Sequence, residues 1–223
     1  MSSEPLVDWS LIDTVLLDMD GTILDLAFDN YFWLEFMPTV YAKKNALSLE
    51  ESKLYLANSY GAIEGKLQWY CLDFWSDRLQ LDIPELKQSV GERVSFRTGA
   101  VEFLSFLNKM NKKVYLVTNA HPKSLEIKML NADFHQYFND LSSSHEFGFP
   151  KEEQAYWLAL ESRYGFDKHR TLFIDDSESI LESAQNYGIK RVLGILQPDS
   201  TRPPIEHSRF ERINNFLRFI NNE

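Results

Sequence analysis

Two carboxylates one residue apart, Asp18 and Asp20, follow an apolar run and precede a glycine in Val15-Leu16-Leu17-Asp18-Met19-Asp20-Gly21-Thr22. The unbroken apolar character of residues 15–17 suits a parallel strand covered on both faces. The two-residue period of a strand then sets Asp18 and Asp20 on one side and Met19 on the other. Gly21 lets the backbone leave the strand. Acids held this close raise each other's cost of ionisation. A divalent cation is the usual reason for them to coexist, and an all-oxygen donor set suits Mg2+. A turn or N-cap cluster is the alternative, since Asp and Gly are ordinary turn residues. The apolar strand in front and Gly21-Thr22 behind weigh against it.

Two further apolar runs end in polar residues: residues 114–117 in Thr118-Asn119, and residues 171–174 in Asp175-Asp176. In a parallel sheet such ends share one edge, where open α/β sheets place their ligands. Lys151 enters from a loop at the start of a helical stretch. Each has a plainer reading: Thr118-Asn119 as a cap for the helix opening near Pro122, Asp175-Asp176 as a cap for the helix that follows, Lys151 as an exposed first-turn lysine. A cation near a helix N-terminus is disfavoured unless an anion accompanies it, and two adjacent acids exceed what a cap requires.

Asp18-Met19-Asp20-Gly21-Thr22 resembles the first motif of the haloacid dehalogenase-like hydrolase superfamily, and Thr118-Asn119, Lys151 and Asp175-Asp176 are similar to its remaining motifs in the same order. The resemblance implies a three-layer Rossmann-like parallel core, an aspartyl-phosphate intermediate and a Mg2+ requirement. In that frame Asp18 attacks phosphorus, splitting one difficult step into two. Asp20 protonates the leaving oxygen and then deprotonates the water that releases phosphate. The expected Mg2+ ligands are the Asp18 carboxylate, the Asp20 backbone carbonyl, and Asp175 and Asp176. Lys151 places a cation on the transferring group, while Gly21, Thr22, Thr118 and Asn119 join it in binding phosphate. Dehalogenases of this fold lack the second acid of the first motif, so Asp20 points to a phosphatase or a phosphomutase.

A closer resemblance lies outside those motifs. The stretches Leu24-Asp25-Leu26-Ala27-Phe28-Asp29-Asn30-Tyr31-Phe32-Trp33, Trp69-Tyr70-Cys71-Leu72-Asp73 and Thr118-Asn119-Ala120-His121-Pro122 resemble the bacterial GMP/IMP nucleotidase family. So do Phe147-Gly148-Phe149-Pro150-Lys151-Glu152 and Thr171-Leu172-Phe173-Ile174-Asp175-Asp176-Ser177-Glu178, while residues 42–66 match less well. This implies removal of the 5′-phosphate from purine mononucleotides. Asp29, Asn30 and His121 lie beside the expected pocket, in reach of ribose or base. The aromatics Tyr31, Trp33, Trp69, Tyr70 and Trp75 offer ring faces to a purine, although aromatics at helical spacing more often build core.

The bulk properties agree. A chain of 223 residues, 44% of them hydrophobic, supports one core domain and a modest second one. The net charge of -10 and a pI near 5.0 argue against nucleic acid as the partner, though not against a small phosphate monoester. A single cysteine, Cys71, excludes an internal disulfide and fits a reducing compartment. Residues 1–10 show no basic stretch followed by an apolar run, and no stretch approaches membrane-spanning length. A cytoplasmic protein with no membrane partner is expected.

Alternating strands and helices predict a parallel sheet with right-handed crossovers. Residues 1–26 and 95–223 are expected to form the catalytic core, interrupted by a small helical cap over residues 27–94. Further helices are predicted over residues 97–111, 122–130, 151–163, 177–187 and 209–220, and a last strand over 191–196. Gly61-Ala62-Ile63-Glu64-Gly65-Lys66-Leu67 looks like a phosphate loop but has three residues between its glycines instead of four, and Leu67 where Ser or Thr is needed. Five scattered histidines and one cysteine give no zinc pattern. The rival functions are a sugar-phosphate phosphatase or mutase, and a non-catalytic binding protein.

Overall fold

The structure, a computed structural model, describes residues 6–220; residues 1–5, part of the stretch read for a signal peptide, and 221–223 lie outside it. Six parallel strands form one sheet in the order β3-β2-β1-β4-β5-β6: β1 (Thr14–Leu17), β2 (Lys113–Thr118), β3 (Asp140–Ser143), β4 (Thr171–Asp175), β5 (Arg191–Ile195) and β6 (Arg212–Ile213). β1 lies between β2 and β4, with Leu17 level with Leu116 on one side and Ile174 on the other. One residue further on, Asp18, Val117 and Asp175 therefore emerge at the same height.

The two faces of the sheet build two cores. Val15, Leu17, Val114, Leu116, Leu172 and Ile174 face one way, packing with Phe103, Leu104 and Leu107 of α7 (Ala100–Lys109). Leu16, Val117 and Phe173 face the other way, packing with Tyr156, Trp157 and Leu160 of α9 (Gln154–Tyr164) and Leu181 of α10 (Glu178–Tyr187). Strands buried on both faces explain the unbroken apolar runs of the sequence. The result is the expected three-layer α/β fold.

Between β1 and β2 the chain forms a helical insert: α1 (Ala27–Tyr31), a π-helical turn over Phe32–Phe36, α2 (Met37–Asn45), α3 (Leu49–Gly61), α4 (Leu67–Tyr70), α5 (Leu72–Leu79) and α6 (Ile83–Gln88). The wide turn precedes Pro38, which has no N–H to continue the ladder and whose ring crowds the turn before it. The insert's entry and exit lie side by side: Asp25 N donates to the Ser95 carbonyl at 2.9 Å and Arg97 N to the Ile23 carbonyl at 3.0 Å. The phosphate-loop look-alike is the turn leaving α3, with no strand before it.

The chain's end differs from expectation. Residues 209–220 form β6 and a short 3-10 helix, Phe216–Phe219, rather than one helix. Phe210, Ile213, Phe216 and Phe219 recur every third residue, a spacing that looks helical, but Asn214-Asn215 interrupts it. The Asn215 side chain accepts from Leu217 N and starts the short helix, while Ile213 pairs with Ile195 at the sheet edge. α8 (Pro122–Asn131) matches its prediction; α7 and α9 begin about one turn later than expected.

Candidate active site

The carboxyl ends of β1, β2 and β4 open into a cavity of about 730 Å³, walled on the far side by the insert. Lys151 lies beneath it, 1% exposed. Its ammonium donates to Asp18 Oδ1 at 2.5 Å, Asp175 Oδ2 at 2.7 Å and the Val117 carbonyl at 3.1 Å. An ammonium has three N–H groups, so all three serve residues at one level of three neighbouring strands. Burial opposes the charge, but Asp175 and Asp18 outweigh it and hold the lysine pKa well above its ordinary range. The turn carrying Lys151 is fixed by Asn119: its side-chain carbonyl accepts from Lys151 N at 2.9 Å, and its amide donates to Glu152 at 2.9 Å. Tyr70, from the insert, donates to the other Glu152 oxygen at 2.7 Å. Thr118 Oγ1 accepts from Ala120 N at 3.0 Å, leaving its hydroxyl hydrogen for another partner.

Asp18, Asp175 and Asp176 present carboxylate oxygens within 4.8 Å of one another. Burial, with Asp175 adding and Lys151 opposing, lifts Asp18 to about 6. Burial, together with Asp175 and Asp18, pushes Asp176 well above the usual carboxylate range. Three carboxylates against one ammonium leave an excess of two negative charges on hard oxygen donors, which fits a divalent ion such as Mg2+. Asp175 already accepts from Lys151 and, through Oδ1, from Ser177 N at 2.9 Å. Asp18 and Asp176 are thus the more available ligands.

Gly21 makes room for this cluster. Its φ is +78°, and a Cβ there would come within 2.6 Å of Asp176 Oδ2. The Gly21 N–H donates to the Leu24 carbonyl at 2.8 Å, closing a tight loop that turns the chain from β1 into the insert. Thr22 is wholly buried under that loop.

Asp20 belongs to a second, charge-balanced cluster. Lys128 of α8 is fully buried and pairs with both Asp20 and Asp29, the latter at 2.7 Å; Lys87 of α6 meets the other Asp29 oxygen at 2.6 Å. Burial raises Asp20, with Asp29 adding and Lys128 opposing, to about 6. A carboxyl poised there serves both as donor and acceptor of a proton near neutrality. For Asp29 burial is outweighed by Lys128 and Lys87, which hold it at about 2. Asp29 and Asn30 both line the cavity, and Asn30 donates to Asp199 at 2.6 Å. Trp33, Tyr60, Trp69, Tyr70 and Trp75 line it too; Tyr31 instead lies under the Arg93 guanidinium.

His121 sits outside the cavity lining, capping α8 with Nδ1 toward Lys123 N at 3.4 Å. It also revises the expectation that histidines and cysteine are scattered. The insert folds back so that ligand atoms of Cys71, His121 and His145 lie within 4.8 Å of one another.

Sequence reasoning missed Lys128, Lys87, Glu152 and His145, and named Tyr70 only as a ring face for a purine, not as the donor to Glu152. A signal existed for the two lysines: each occupies the buried stripe of its helix, Lys128 beside Ser124 and Leu125, Lys87 four residues after Ile83.

The comparisons with known proteins agree with this geometry. A family model described as haloacid dehalogenase-like hydrolase matches residues 12–188. The GMP/IMP nucleotidase YrfG of Escherichia coli (strain K12) is 42% identical over 214 residues, 96% of each chain. Among solved structures, a HAD phosphatase from Thermococcus onnurineus superposes with a TM-score of 0.78 at 19% identity, covering 95% of this chain and 99% of that one. The L-2-haloacid dehalogenase from Xanthobacter autotrophicus gives 0.59 at 17% identity, covering 83% and 78%. At such identities the two structures speak for the fold alone, while the family model and the 42% identical relative speak for descent. This chain belongs to the haloacid dehalogenase-like hydrolase family.

Proposed function

We propose that this protein is a Mg2+-dependent phosphatase that hydrolyses purine nucleoside 5′-monophosphates, GMP and IMP, through an aspartyl-phosphate on Asp18. The observation that carries the phosphatase reading is Asp20, held by Lys128 at the cavity floor two residues beyond Asp18 and raised to about 6. A dehalogenase has no leaving alcohol to protonate and no use for such a group. The purine preference is supported by the 42% identity to the E. coli GMP/IMP nucleotidase and by the aromatic walls of the cavity.

Asp18 Oδ attacks phosphorus as the ester oxygen leaves, and Asp20 gives that oxygen its proton. Asp20, now ionised and steadied by Lys128, takes a proton from the water that attacks the acyl phosphate. Inorganic phosphate leaves and both residues return to their starting states. Asp18, the Asp20 carbonyl and Asp176 would hold Mg2+, which would supply charge to offset the repulsion between nucleophile and phosphate. Thr118 donates its hydroxyl to a phosphoryl oxygen, and Gly21 and Thr22 shape the loop against which the phosphate rests. Lys151 keeps Asp18 aligned and supplies positive charge, with Asn119 fixing the turn from which it reaches. Residues 27–94 act as the cap and residues 1–26 and 95–223 as the core. Asp29 holds the cap to Lys128, Asn30 faces the nucleoside, and His121 caps α8. The free thiol of Cys71 supports a cytoplasmic setting; among the described residues no helix is long and apolar enough to cross a membrane.

The test is phosphate release with Mg2+ from GMP, IMP, AMP, UMP, glucose-1-phosphate and glycolate phosphate. A GMP and IMP preference is expected. Flat or sugar-favouring release, or isomerisation of glucose-1-phosphate, would retain the Asp18 chemistry and overturn the substrate.

A further inference from the structure

Beside the cavity, on its outer flank, three residues from distant parts of the chain meet. Cys71 belongs to the cap, between α4 and α5; His121 caps α8 and His145 follows β3, both in the core. Their ligand atoms lie within 4.8 Å of one another, and the imidazole rings pack edge to face with centroids 5.0 Å apart. No step of the phosphatase mechanism uses them.

Their surroundings suit a metal better than a core. His145 Nε2 is buried without a hydrogen-bond partner among the described residues. A neutral imidazole whose buried Nε2 has no hydrogen-bond partner keeps that nitrogen available to an ion. A buried ring nitrogen with no partner otherwise requires an explanation. Burial, with each other's proximity for His145, lowers both histidines, His145 to about 4, so both are neutral near pH 7 as ligands must be. The Cys71 sulfur faces the same space while accepting from Phe74 N at 3.4 Å. Asp73 stands 3.7 Å from His121 Nε2, its other oxygen held by Lys123 at 2.7 Å, so a carboxylate is at hand for a fourth position. One sulfur and two imidazoles select a borderline ion of the Zn2+ type and not Mg2+.

We propose that Cys71, His121 and His145 form a second metal site, taking Zn2+ or a similar divalent ion, that pins the cap to the core. Binding expels the Cys71 thiol proton and adds one bond across the seam already bridged by Tyr70 with Glu152 and by Asp73 with Lys123. Cys71 lies between Tyr70 and Leu72, both cavity-lining residues, so an ion there restrains the wall that must move when product leaves. The expected effect is slower turnover when the site is filled.

Co2+ is the probe for binding, added to the full chain with Mg2+ saturating the carboxylates. A thiolate-to-metal charge-transfer band together with intense visible absorption of tetrahedral Co2+ is expected. Cys71→Ser, which retains an N-cap for α5, should abolish the band, and His145→Asn should weaken Co2+ binding at least tenfold. Absence of the band, or a band unchanged in both variants, overturns the site. For the pinning, Zn2+ should slow hydrogen exchange across residues 67–79 and reduce wild-type turnover severalfold, leaving Cys71→Ser at its basal rate. Equal exchange and equal inhibition in both proteins would mean Zn2+ acts at the carboxylates, and the pinning would be wrong. The turnover readout rests on the phosphatase reading, whereas the Co2+ spectrum and the exchange data stand without it.

Discussion

The ammonium of Lys128 rests against the Asp20 carboxylate, joining residues 108 positions apart in the chain. Lys128 is fully buried and Asp20 partly so, with Asp29 as the second carboxylate and Lys87 as the second cation. A buried charge left without its partner is strongly destabilising. Lys128→Met keeps most of the stem's volume while removing the charge, so a loss of about 3–5 kcal/mol is expected in urea unfolding. Asp20 also loses the cation that opposes its rise, so the alkaline limb of the kcat/KM profile, where the proton-donating Asp20 ionises, should move to higher pH. Unchanged stability and an unchanged profile would rule out this role for Lys128.

Asp29 gives a pH dependence of known sign. Its folded-state pKa is depressed to about 2 from an ordinary 3.8. A depressed carboxylate contributes stability that is complete above 3.8 and is lost as pH falls through about 2. Asp29→Asn should therefore cost about 2–3 kcal/mol at pH 7. The gap to wild type should narrow as both are unfolded at pH 5, 4 and 3. A gap that stays constant over that range would assign the loss to shape and not to charge.

Gly21→Ala tests how tightly the glycine loop and Asp176 are packed. A methyl group 2.6 Å from Asp176 Oδ2, on a backbone at φ +78°, must displace one or the other. Mg2+ affinity, read from the concentration dependence of turnover, should weaken by roughly 10–100-fold, as when the supports of a metal ligand are disturbed. Wild-type affinity would mean that Asp176 is not a ligand or that it has another position to adopt.

Asp18→Asn separates catalysis from stability. Turnover should fall by roughly 10³-fold or more, since nothing else on β1 can take over the nucleophile's place. With metal chelated, the same variant should melt at a higher temperature than wild type, because it removes one of the crowded acids that burial and Asp175 raise. A non-catalytic binding protein would show no activity to lose.

Most of the chemistry-bearing residues that were legible in the sequence share one property: each is adjacent to the strand that positions it, whereas Lys151 comes from the loop before α9. Asp18, Thr118 and Asp175 need only a parallel sheet to be brought to one edge. Lys87, Lys128 and the pairing of Tyr70 with Glu152 were not legible because the partners lie 58 to 108 residues apart, and only the packed insert brings them together. The lysines left a trace as cations in an apolar stripe, a pattern that signals a buried counter-ion. Cys71, His121 and His145 left none, since no spacing rule links a cap turn to two core loops. At the chain's end local pattern and tertiary pairing conflicted. The three-residue rhythm of Phe210, Ile213, Phe216 and Phe219 serves a helix in isolation, but here the open edge of β5 claims Ile213 as a strand.

Lys151 has a consequence for folding as well. Its ammonium joins Asp18 just past β1, Val117 on β2 and Asp175 on β4, strands contributed by widely separated parts of the chain. None of these contacts is local, so the lysine can settle only after all three strands have aligned in register. Site assembly and closure of the central sheet are then one cooperative event. A species with half its sheet formed has no aligned nucleophile, and loss of activity on heating should trace the same curve as loss of the sheet.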